Sequence, residues 1–146
     1  MRYSHSVYTH TSPSFSISYP KHYKVTKPTL NEVLLVKNPM SSAPQLGVYV
    51  ENKPQGIQLQ NIGQKYLHSL IEKYSTNVKL VSSTQTVLSD GTPANETLFD
   101  WVANEHWPLK TMILSTYRGD KLIFVTTTSF AHPEALREYL YSLRYD

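Results

Sequence analysis

Chemistry at an active site needs a few side-chain types brought together, chiefly histidines, carboxylates and hydroxyls. The six histidines are His5, His10, His22, His68, His106 and His132. His5, His10 and His22 would form a nitrogen-only cluster, suited to zinc or copper, if the first strands paired. No two histidines have the i, i+4 spacing that presents a pair of imidazoles on one helix face, and no carboxylates are grouped with them. Asp90, Glu96, Asp100 and Glu105 are spread along two strand-like segments and their turns, with Glu96 and Asp100 on one strand face. They read as surface charges, and acids pointing inward there would reopen the possibility of a small hydrolase. Serines and threonines are abundant, but no G-x-S-x-G elbow and no G-x-x-x-x-G-K phosphate loop occurs. No catalytic residue, metal or cofactor is assigned.

Three further motifs invite a function. Arg118-Gly119-Asp120 spells an integrin-recognition tripeptide, yet Gly-Asp is also what a tight hairpin turn requires. Asn95-Glu96-Thr97 matches a glycosylation sequon at the start of a strand, where a structural role is preferred. The third is aromatic: Trp101, His106, Trp107 and Tyr117, rimmed by Glu105 and Arg118, fall on neighbouring strands or the loop between them. Trp, Tyr and Arg are enriched at binding hot spots. These six residues are the expected partner-binding surface; packing of the tryptophans beneath a helix is the alternative.

Composition limits what can position such a surface. The chain has 146 residues, 40% hydrophobic and 17% charged, with a formal net charge of +3. That is the size of one independent domain, residues 1–146, able to bury a core without a metal or disulfide staple. There is no cysteine, which removes thiol nucleophiles and cysteine-ligated zinc. The lysines are scattered and form no basic stripe, so nucleic acid is not an expected partner. No apolar run is long enough to span a bilayer.

Periodicity supplies the elements. Phe15, Ile17 and Tyr19 alternate with serines, Glu32 to Lys37 is a short apolar run, and Gln45 to Glu51 alternates again. From Ile57 to Tyr74 the period changes: Leu59, Ile62, Tyr66, Leu67, Leu70, Ile71 and Tyr74 make one helical stripe. Strands over 78–88, 94–103, 109–117 and 121–130 follow, closed by Asp90-Gly91 and Gly119-Asp120 turns. A final helix begins near Pro133 with the stripe Leu136, Tyr139, Leu140 and Leu143. Both alternating sets of the later strands contain apolar residues, so the sheet is expected to be covered on both faces. The two helices supply cover, one per face or both at one end. The fold class is α+β, an antiparallel sheet flanked by helices in an α/β/α sandwich.

The order FSISYP, GVYVEN, QKYLHSLIEKY, VKLVSSTQTVL with DGTPANE, LKTMILSTYRGDKLIFVTTTSF and EALREYLYSLRY resembles the PsbP-like proteins. Their fold is shared with the Ran-binding Mog-type proteins and small DcrB-like bacterial lipoproteins. The resemblance spans about Phe15 to Tyr145. It implies a non-catalytic accessory or binding module with a protein partner. It also implies the soluble part of an exported or lipid-anchored protein, with any membrane association through an N-terminal anchor. The N-terminal residues lack the apolar core of a signal peptide. The expected location is therefore extracytoplasmic if a leader precedes residue 1, and cytoplasmic if Met1 is the native start.

Overall fold

The computed structural model describes residues 5–11, 13–26, 32–37, 45–74, 77–103, 107–129 and 133–145. Its ten strands are β1 (His5–Thr11), β2 (Ser14–Pro20), β3 (Lys24–Thr26), β4 (Glu32–Lys37), β5 (Gln45–Asn52), β6 (Val78–Val87), β7 (Pro93–Ala103), β8 (Trp107–Arg118), β9 (Lys121–Ser129) and β10 (Arg144–Tyr145). The helices are α1 (Ile62–Tyr74), entered through a 3-10 turn over Leu59–Asn61, and α2 (Arg137–Leu140), entered through another over Pro133–Leu136. A seven-stranded sheet runs in the order β3-β4-β5-β9-β8-β7-β6, and β1, β2 and β10 form a second sheet. Every pairing is antiparallel.

The two-sided apolar pattern has the expected consequence. On one face of the large sheet, Phe99, Ile113 and Leu122 meet Ile62 and Tyr66 of α1. On the other, Leu46, Val48, Met112, Leu114, Ile123 and Val125 meet Phe15 and Ile17 of β2 and the C-terminal Leu136, Leu140 and Leu143. The helices therefore cover opposite faces, and the small sheet shares the second face with α2. This is an α+β fold with an antiparallel sheet flanked by helices.

Two glycines set local geometry. A Cβ on Gly63 would lie 3.0 Å from Ser83 Oγ and 3.2 Å from Thr97 Cγ2, so glycine lets α1 sit close on β6 and β7. Gly119 has φ +59° at the first position of the two-residue turn joining Arg118 to Lys121. That turn is what the Arg-Gly-Asp sequence builds.

The C-terminus departs from the expected continuous helix. Only four residues are α-helical, and Arg144 and Tyr145 pair with Ser16 and Phe15 of β2. Leu143 is fully buried between these two structures. Pairing with β2 satisfies backbone groups that a longer helix would have held internally.

Candidate functional site

The register divides the expected aromatic patch. Trp101 pairs with Leu109, whereas Tyr117 pairs with Leu122 at the far end of β8. The eight steps from Leu109 to Tyr117 span about 27 Å of strand. Trp101 and Tyr117 therefore lie at opposite ends of the sheet and cannot form one surface. Arg118 follows Tyr117 but points to the other face, its guanidinium 4.3 Å from the centre of the Tyr145 ring. Glu105 and His106 lie outside the described residues, as does the side chain of Trp107, which opens β8.

At the Trp101 end, β6, β7 and β8 present different surfaces on their two faces. On the α1 face the Trp101 indole Nε1 donates to Thr111 Oγ1 (2.9 Å), itself bonded to Thr128 Oγ1 at 2.9 Å. The ring is half-buried at the rim of the α1 core. This ties Trp101 down as the packing alternative anticipates. On the opposite face, Lys79, Asp100 and Lys110 form a cross-strand row, with Lys110 Nζ 3.0 Å from Asp100 Oδ1. Beside the row is a hollow of about 380 Å³ at the end of the sheet, whose apolar lining combines Val102 and Pro108 of this face with Val78, Trp101 and Leu109 of the other. Two cations and one anion edge an apolar recess, an arrangement suited to a complementary protein surface.

At the far end the Tyr117 hydroxyl donates to the Ile57 carbonyl (2.6 Å), and Lys53 Nζ lies 4.9 Å from the Tyr117 ring centre. Burial pushes the Tyr117 phenol above its ordinary pKa. These contacts hold the segment before α1 against the β8–β9 hairpin and leave Tyr117 committed to the fold.

The acids behave differently from one another. Asp100 is a surface partner of Lys110, as expected. Glu96 points inward, correcting the surface reading. Its Oε1 accepts from Arg137 Nη1 (3.0 Å) and from the Tyr141 hydroxyl (2.8 Å). Glu96 is paired with Leu114 on the α2 side of the sheet, so its carboxylate pins the C-terminal segment. Replacement by alanine removes the charged acceptor shared by Arg137 and the half-buried Tyr141 hydroxyl and should cost about 1–3 kcal/mol. Glu96→Gln keeps an acceptor and should cost less than half as much. Urea unfolding of the two variants checks this, and equal losses would show that the bonds contribute little.

The histidine cluster does not form. His10 pairs with Phe15 and His5 with Pro20, putting these positions about 17 Å apart along the hairpin. His22 lies beyond Pro20, at the opposite end from His10. His10 Nδ1 is engaged by the Tyr8 hydroxyl at 2.8 Å, and its ring lies 4.9 Å from that of Phe15. Among the described residues no group of three His, Cys, Asp or Glu could hold a metal ion. The Asn95 of the sequon is buried and bonded to Ser83 and Thr97, which identifies it as a structural amide.

No protein-family model and no curated protein matches the chain. Solved structures do. Cyanobacterial PsbP (CyanoP) from Synechocystis sp. PCC 6803 superposes with a TM-score of 0.79 at 11% identity, covering 98% of this chain and 93% of its own. The Saccharomyces cerevisiae Ran-binding protein Mog1p gives 0.72 at 9% identity, over 97% and 95%. A Pseudomonas aeruginosa protein of unknown function gives 0.58 at 12% identity, over 98% of both chains. At these identities the likeness is one of fold, and it extends through both sheets and both helices. The chain has the PsbP/Mog-like fold.

Proposed function

We propose that this protein is a non-catalytic accessory module that binds a protein partner through the Trp101 end of its large sheet. The observation that carries the reading is the recess lined by Trp101, Val102 and Pro108 and edged by Lys79, Asp100 and Lys110. Two inward-facing titratable groups support a non-catalytic role, because they are spent on structure: Glu96 on Arg137 and Tyr141, and Tyr66 on Ser115. A Ran-binding protein among the structures of this fold supports a protein as the partner class. We keep Glu105, His106 and Trp107 with this surface because they lie between Ala103 and Pro108 in the sequence. Tyr117 and Arg118 belong to the other end and are left out of it.

The experiment is a charge swap, Asp100→Lys with Lys110→Glu. It keeps an ion pair between these two positions but sets the new lysine opposite Lys79, and on this exposed surface it should change stability by less than about 1 kcal/mol. It turns the row offered to a partner from plus–minus–plus into plus–plus–minus and should weaken binding at least tenfold, read by quantitative cross-linking of tagged protein in its own cells. Arg118→Ala, at the far end, should leave binding intact. Unchanged partner recovery by the charge swap would overturn the reading. We infer further that the protein is exported or lipid-anchored, supported by its likeness to cyanobacterial PsbP. The mass and cell fraction of the same tagged protein test this, and an unprocessed chain in the cytosol would overturn it.

A further inference from the structure

The outer edge of the large sheet carries a second surface, which meets the recess only at Val78 and Lys79. Strand β6 forms that edge over ten residues. Edge strands that stay single are usually short, charged, bulged or interrupted by proline, and β6 is regular and uncharged only over residues 82–87. β6 has no proline, and Lys79 is its only charged residue. A bulge between Leu80 and Ser82 turns Val81 outward, 49% exposed, and Val87 at the other end is 56% exposed.

Helix α1 extends this surface. Gly63 against Ser83 and the Gln60–Gln85 hydrogen bond (2.9 Å) fix which flank of the helix overlooks β6. Helical spacing then places Gln64, Leu67 and Ile71 on that flank, and Ile71 is 45% exposed. The charged residues of α1 lie elsewhere on the cylinder: Lys65 reaches across to Glu51 on β5, and Glu72 and Lys73 follow the same side. Five large hydrophobic side chains are exposed among the described residues, and three of them, Ile71, Val81 and Val87, gather along this one edge.

We propose that β6 pairs with β6 of a second copy of this chain, antiparallel about a two-fold axis, joining the two large sheets with an α1 on each side of the axis. The absence of charge from residues 82–87 and from the flank of α1 beside them selects this occupant. A two-fold interface sets every residue against its own surface, so a charged strip would repel itself and an uncharged one does not. Interface cores are likewise depleted of charge. The antiparallel arrangement also sends the two copies of Lys79 to opposite ends of the paired strands.

The chain contains no cysteine, which makes the test direct. Sedimentation equilibrium should give twice the monomer mass in the high-micromolar range, falling to the monomer on dilution. Val87→Lys combined with Ile71→Lys should weaken association at least tenfold without unfolding the domain. Among S83C, T84C and Q85C, those nearest the axis should give a covalent dimer under mild oxidation, whereas V7C, on the outer edge of the small sheet, should not. A monomeric mass at every concentration overturns the proposal, even if β6 proves to accept a strand from another protein. So does a dimer indifferent to both lysine substitutions and never cross-linked through β6.

Discussion

Leu140→Ala should destabilise the protein by about 2–5 kcal/mol, the range for emptying a fully buried leucine site. Leu140 has no exposed surface and lies in the core with Leu136, Leu143, Phe15 and Ile17. Transfer of its side chain from water accounts for roughly 1.5–3 kcal/mol, and the cavity left behind adds the remainder. The position is sensitive because α2 has only four residues, far fewer than a helix needs to persist on its own. Its conformation is imposed by burial. The backbone around it offers modest further support: Ser18 N donates to Ser142 Oγ at 2.8 Å, and β10 contributes two residues to the small sheet. Loss of Leu140 should therefore also raise hydrogen exchange across residues 133–145 more than in β8 or β9. Leu140→Met, which roughly conserves volume, should cost less than about 1.5 kcal/mol. A loss near zero for Leu140→Ala in urea unfolding would mean that the segment is not anchored by its leucines.

The same segment shows what local pattern conveys and what it omits. Leu136, Tyr139, Leu140 and Leu143 satisfy a helical stripe, and all four do turn toward the core. The stripe specifies burial, but continuing the helix past Leu140 competes with pairing to β2. That competitor lies more than a hundred residues earlier in the chain, where no local periodicity can register it. The strands β5 to β9 are legible because alternation and turn chemistry agree there, and the apolar residues in both alternating sets correctly require cover on both faces.

The aromatic patch illustrates a different omission. Ala103 pairs with Trp107 around the connection between β7 and β8, so residues equidistant from it face each other. Counting outward puts Trp101 opposite Leu109 and leaves Tyr117 well beyond, which makes the division readable from connection length alone. Inward orientation of Glu96 is also implied by strand parity, since Ala94 and Leu98 flank it on the core side. Its partners are not implied, because Arg137 and Tyr141 come from the C-terminal segment and only the docking of that segment brings them near. The two hydrogen bonds on Glu96 are thus a product of tertiary packing, as is the close seat of α1 that Gly63 permits.

Above pH 10 the protein should lose stability steadily, and Tyr66 should account for a measurable share of the slope. Tyr66 is buried, its hydroxyl 2.7 Å from Ser115 Oγ, and Phe124 lies 5.3 Å away between ring centres. Burial raises its pKa far above the ordinary 10.0, outweighing the opposing effect of the Ser115 hydrogen bond. The folded state therefore keeps the phenolic proton where the unfolded chain has released it. With more protons bound in the folded state, stability falls as pH rises. The contribution is intact below pH 10 and declines by about 1.4 kcal/mol per pH unit above it, for the one proton concerned. Tyr66→Phe removes this slope. It also leaves the buried Ser115 hydroxyl without that partner, which should cost about 1–3 kcal/mol at neutral pH. The wild-type and variant stability curves should consequently converge between pH 10 and 12, although they are well separated at pH 7. Burial also raises the phenols of Tyr8, Tyr117, Tyr141 and Tyr145, so a weaker alkaline slope remains in the variant. Denaturant titrations at closely spaced pH values decide the matter. Parallel curves would mean that Tyr66 ionises as readily in the folded protein as in the unfolded chain, contrary to the burial that defines the α1 face of the sheet.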